Sequence, residues 1–74
     1  MEQTKMIRHV NQIAAYFEVY PQDRAEESVR GHLEKFMAPS IRRQLADYAL
    51  DGGDGLHPLA QQAAQNMTVG SNTS

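Results

Sequence analysis

The 74-residue chain has no cysteine, no tryptophan and only three prolines, with five further aromatic residues, Phe17, Phe36, Tyr16, Tyr20 and Tyr48. Without cysteine there is no disulfide and no thiolate-held zinc to staple a small fold. No stretch reaches the ~18 consecutive apolar residues of a membrane span, so no membrane association is expected. Neither sign of charge dominates. Seven Lys and Arg against nine Asp and Glu leave a formal charge of -2, which supplies no field to draw nucleic acid or an anionic bilayer. Residues 1–6 lack a basic region followed by an apolar run, so no secretory signal is expected and a soluble cytoplasmic protein is.

A chain this short buries only about 60% of the surface its unfolded form exposes. Below about 70–80 residues, area bookkeeping comes out near zero without disulfides, a metal or a partner. Partner binding is the stabiliser left open by the composition.

What the sequence does contain is helical periodicity. Met6, Val10, Ile13, Phe17 and Tyr20 recur at a four-three spacing, widened by Ile7 and Ala14, and predict an amphipathic helix that Pro21 ends. Asp23 followed by Glu26 resembles a capping box, and Ala25, Val29, Leu33 and Phe36 then mark a second helix stopping near Met37. Gly31 within it predicts the close approach of another backbone. Pro39 suits the first position of a third helix, with Ile41, Leu45 and Tyr48 as its apolar face. Residues 51–55 form a Gly- and Asp-rich turn. Leu56-His57-Pro58-Leu59 opens a short fourth helix, with Leu56 as a hydrophobic anchor and Ala60, Ala63, Ala64 and Met67 on a small-residue face.

No segment alternates with the two-residue period of a strand. The expected fold is all-α: one domain over residues 1–67, a bundle of three main helices plus a short fourth, followed by a mobile C-terminal tail at 68–74.

No catalytic set stands out. His9, His32 and His57 lie in three separate elements, not at the spacing of a helical metal pair. The 51–55 turn lacks the alternating ligands and closing glutamate of a calcium loop, and no Lys-Ser/Thr pair follows it to make a phosphate loop. The helix–turn–helix around Pro39, with Arg42 and Arg43 on its second helix, invites a DNA-binding reading. Arg43 beside Asp47 reads instead as an ordinary four-residue charge pair on a solvated face, and an acidic chain with no basic stripe is expected to bind no nucleic acid. Asn66-Met67-Thr68 and Asn72-Thr73-Ser74 match the glycosylation pattern by chance. A helical interaction module is the class that remains. Phe17 and Phe36 are expected to fill the core, while Tyr16, Met37 and Arg42 are of the types enriched at interface centres.

The order of these pieces carries a resemblance. Asn11-Gln12-Ile13 followed by Tyr16-Phe17, then Pro21, Asp23 and Arg24, then His32-Leu33 with Phe36, Pro39 and Arg42, and finally Gly55-Leu56-His57-Pro58-Leu59 resemble the delta subunits of NAD-dependent, molybdenum-containing formate dehydrogenases. The chain departs from that pattern at Met37, Ala38 and Ser40, where tryptophan, an acidic residue and arginine are usual. The resemblance implies a non-catalytic accessory subunit of a cytoplasmic complex, supporting assembly or stability of the large catalytic subunit. It implies no cofactor in this chain, with molybdopterin, iron–sulfur clusters and FMN in the partner subunits. Contact residues are expected among Asn11, Gln12, Tyr16, Met37, Pro39, Arg42 and Leu56. The isolated chain could also pair with a copy of itself through the same stripe, and the alternative function is a free-standing helical regulatory or DNA-binding domain.

Overall fold

The computed structural model describes residues 2–67. Within them the chain folds into four helices and, among the described residues, no strand: α1 (Gln3–Phe17), α2 (Gln22–Phe36), α3 (Pro39–Leu50) and α4 (Pro58–Asn66). The all-α expectation with three main helices and a short fourth therefore holds. The tail expected at 68–74, and the Thr68 of the glycosylation pattern, lie outside the described residues.

The core is built from i, i+4, i+8 rows of α1 and α2 and from shorter buried faces of α3 and α4. Met6, Val10 and Ala14 from α1 meet Ala25, Val29 and Leu33 from α2, with Leu45, Ala46 and Ala49 from α3. The short helix α4 is the hub. It buries Leu59, Ala60, Ala63 and Ala64 and packs most extensively on α2, while also touching α1 and α3. Three alanines on one face let neighbouring helices approach closely, and this explains how nine residues serve three partners.

This core differs from the expected stripe in two places. On α1 the buried row is Met6, Val10 and Ala14, whereas Ile13 and Phe17 only rest against its edge and Tyr20 falls beyond the helix end. On α2 the expected core residue Phe36 is 71% exposed. It lies in the last turn of α2 with its ring left open to solvent. Gly31 also departs from expectation, because a methyl group added there would meet nothing within 4 Å.

Helix ends explain the corners. Glu18 and Tyr20 donate their amides to the Ala15 and Phe17 carbonyls, which closes a tight turn before Pro21. The expected capping box is absent. Because α2 begins at Gln22 with Pro21 as its N-cap, Asp23 is already inside the first turn, and its carboxylate accepts from the adjacent Arg24 amide. Glu26 instead takes the Arg30 guanidinium at 3.1 Å. Met37 (φ -96°, ψ 134°) and Ala38 (φ -59°, ψ 146°) are extended, as the residue before a proline must be, and Pro39 restarts the chain as α3.

At the far end of α3 the Gly52 amide donates to Ala49 and the Gly53 amide to Tyr48, the paired reverse bonds of a Schellman stop. Gly52 and Gly53 stand at φ 110° and 62°, where a side chain would be strained. The Tyr48 hydroxyl donates to the Asp54 carbonyl and holds the turn from the other side.

Candidate docking face

The ridge of α1 that does not enter the core presents His9, Gln12, Ile13 and Tyr16 at helical spacing. Alongside it, α2 presents His32 and Phe36, and the corner adds Met37, Ala38 and Ile41. The result is an apolar trough. One hollow of about 190 Å³ lies over Ile13, Leu33, Met37 and Ile41 at the α2–α3 corner. A second, of about 270 Å³, continues from it over Gln12, Tyr16 and Phe17, and the two share His9, Ile13 and His32.

Rings floor and fence this trough. Tyr16 meets Phe17 edge-on, with centroids 5.0 Å apart at 88°. Phe17 lies 6.3 Å from the His32 ring, and His32 lies 4.8 Å from Phe36. The Lys35 ammonium stands 6.0 Å from the Phe36 ring centre. Tyr16 is 74% exposed, so its ring and that of Phe36 offer bare aromatic area, the side-chain type that contributes most at interface centres.

The structure sorts the seven expected contact residues into two places. Gln12, Tyr16 and Met37 line the trough, and Pro39 sits exposed at the corner beside it. Arg42, half-buried, follows in the first turns of α3, its amide donating to Ala38. Asn11 and Leu56 are elsewhere. Asn11 donates its Nδ2 to the Gly55 carbonyl at 2.9 Å and accepts the His57 amide at its Oδ1 at 2.8 Å. Its amide is thus committed to clipping α1 onto the entry of α4, with Leu56 packed on the core next to that clip.

His57 completes the clip. It is the helix-start residue expected from the sequence, accepting the Leu59 amide at Nδ1, and its Nε2 meets the Glu18 carboxylate at 2.7 Å. With Nδ1 acting as acceptor, the remaining proton sits on Nε2 and points to Glu18. The expected contact set omitted several trough residues, among them His9, Ile13, His32 and Phe36. Their signal was visible in the sequence as two short rows, His9-Ile13-Tyr16 and His32-Phe36, at i, i+4 and i+7 spacing.

Among the described residues no group of three or more His, Cys, Asp or Glu side chains is placed to hold a metal ion. Among the same residues, no helix is long and apolar enough to cross a membrane.

Comparison with known families matches residues 5–64 to the NADH-dependent formate dehydrogenase delta subunit FdsD. The chain belongs to this family. Comparisons with curated proteins and with solved structures return no significant match. The matched segment runs from the first turn of α1 almost to the end of α4, so the family pattern spans both the clip and the whole trough.

Proposed function

We propose that this FdsD-family chain is a non-catalytic accessory subunit that docks on the large catalytic subunit of a cytoplasmic, NAD-dependent formate dehydrogenase and supports its assembly or stability. The family match over residues 5–64 is the observation that carries this reading. The trough supports it. A chain of 74 residues that leaves Tyr16 and Phe36 more than two-thirds exposed beside half-buried Met37 and Ile41 gains stability by being covered. The molybdopterin, iron–sulfur clusters and FMN of the reaction reside in the partner subunits. The donor set of this chain agrees with that assignment, since it has no cysteine thiolate to hold a cluster. Formate oxidation and electron transfer to NAD take place in those subunits, and this chain contributes surface and rigidity.

The test is co-purification from the native host. An affinity-tagged copy is expected to bring down a large subunit with iron–sulfur and flavin absorbance, and deleting the chain is expected to lower the yield or half-life of assembled enzyme. A monodisperse tagged chain recovered alone from cells making active formate dehydrogenase overturns the proposal.

A further inference from the structure

We infer that the trough between α1 and the α2–α3 corner receives an amphipathic helix of the catalytic subunit whose apolar anchors are flanked by carboxylates. This rests on the accessory-subunit reading and specifies the face and the chemistry of its contact.

Shape argues for a helix. The two hollows, about 190 and 270 Å³, are shallow and elongated end to end along α1, sharing His9, Ile13 and His32. Two hollows end to end, joined over Ile13, accept successive side chains of a helix laid along the trough, the i and i+3 or i+4 anchors of helix-in-groove recognition. The corner hollow, walled by Leu33, Met37 and Ile41, suits a leucine or phenylalanine. The ring-lined one suits a flatter or branched side chain against Phe17.

Charge argues for carboxylates. The chain as a whole carries more Asp and Glu than Lys and Arg, yet no carboxylate lines either hollow. The polar groups that do line them are His9, His32 and Gln12, all able to donate, and Lys35 stands over the outer ring of Phe36. A partner helix bearing Asp or Glu beside its anchors finds donors on both walls and no like charge. A second copy of this chain would bring imidazole to imidazole if it docked through the same face. The chain's own residues 68–74 hold a single large apolar side chain, Val69, too little to fill two hollows.

The test uses the assembled complex. The photoreactive replacements Phe36→benzoylphenylalanine in the trough and Gln62→benzoylphenylalanine on the exposed face of α4 are made in the tagged chain, co-expressed with the other subunits, irradiated, and the joined peptides sequenced. Position 36 is expected to capture a catalytic-subunit segment with apolar residues three or four apart and neighbouring Asp or Glu, and position 62 to capture nothing. In parallel, the paired variant His9→Glu with His32→Glu is expected to weaken retention by about tenfold or more at low salt, and His9→Gln with His32→Gln by clearly less. Circular dichroism verifies that each variant is folded.

If the complex assembles but only position 62 captures the partner, the trough is not the contact face, although the accessory reading stands. Capture of a second delta chain at position 36 overturns the occupant. Capture of a segment without carboxylates, or retention unchanged by the glutamate pair, overturns its acidic character. Failure of any complex to form overturns both the accessory reading and this inference.

Discussion

Replacing Asn11 with alanine removes both bonds of the clip that joins α1 to the entry of α4. The two bonds, 2.9 Å to Gly55 and 2.8 Å from the His57 amide, connect positions more than forty residues apart. A typical intramolecular hydrogen bond contributes about 0.5–1.5 kcal/mol net, and the solvent-exposed bond to Gly55 belongs at the low end. The half-buried His57 amide belongs higher, because Asn11→Ala leaves it without its acceptor. The expected loss is about 2 kcal/mol, a large share of the ~0.05–0.15 kcal/mol per residue by which small domains are stable. For a domain of this size it lowers Tm by ~8–16 °C. Thermal and urea melts followed at 222 nm measure it, with Gln12→Ala as the control one residue along the same helix, expected within about 0.5 kcal/mol of wild type. Asn11→Asp separates the two bonds, since it keeps the acceptor for His57 but turns a carboxylate oxygen toward the Gly55 carbonyl, and it is expected to fall at least as far as a single lost bond. An Asn11→Ala melt within ~2 °C of wild type refutes the structural role and returns Asn11 to the exposed contact set.

Leu33→Ala, at a side chain only 1% exposed, is expected to cost about 2–5 kcal/mol in urea denaturation. Phe36→Ala, one turn further on, is expected to leave the melt nearly unchanged while reducing retention in the complex. Gly31→Ala in the open middle of α2 is expected to stabilise by up to about 1 kcal/mol. Gly53→Ala is expected to destabilise by about 1–2 kcal/mol, because φ 62° disfavours a side chain and the new methyl would displace the Gln61 carboxamide, which donates to Ala49 at 2.9 Å. His57→Ala is expected to lose about 0.5–2 kcal/mol of helix cap in a chemical melt, with His57→Asn recovering most of it.

Where the sequence was legible, the determinants were local. Pro39 at the first position of α3, Pro58 at that of α4, the glycine stop after Leu50 and the helix-start place of His57 each depend on a few neighbouring residues. The capping box failed for an equally local reason, since α2 starts at Gln22 with Pro21 as its N-cap, two residues before a helix capped by Asp23 would start. Phe36 and Gly31 were misread, and the clip made by Asn11 was not read, because these roles depend on what lies across from them. Phe36 is left open to solvent, no backbone approaches Gly31, and the partners of Asn11 are more than forty positions away.

By itself the sequence determined the helical class, the corner at Pro39, the exclusion of cysteine-based sites and the family resemblance, because periodicity, turn chemistry and motif order are written in short stretches of chain. Only the tertiary structure decided which of two adjacent stripes on α1 faces inward. Alternation at 3.6 residues leaves Ala14 and Ile13 about equally eligible, and packing of α1 against α2 and α4 buries the Met6, Val10 and Ala14 row. That choice turns Ile13, with His9 and Tyr16, outward beside His32 and Phe36, and so creates the trough.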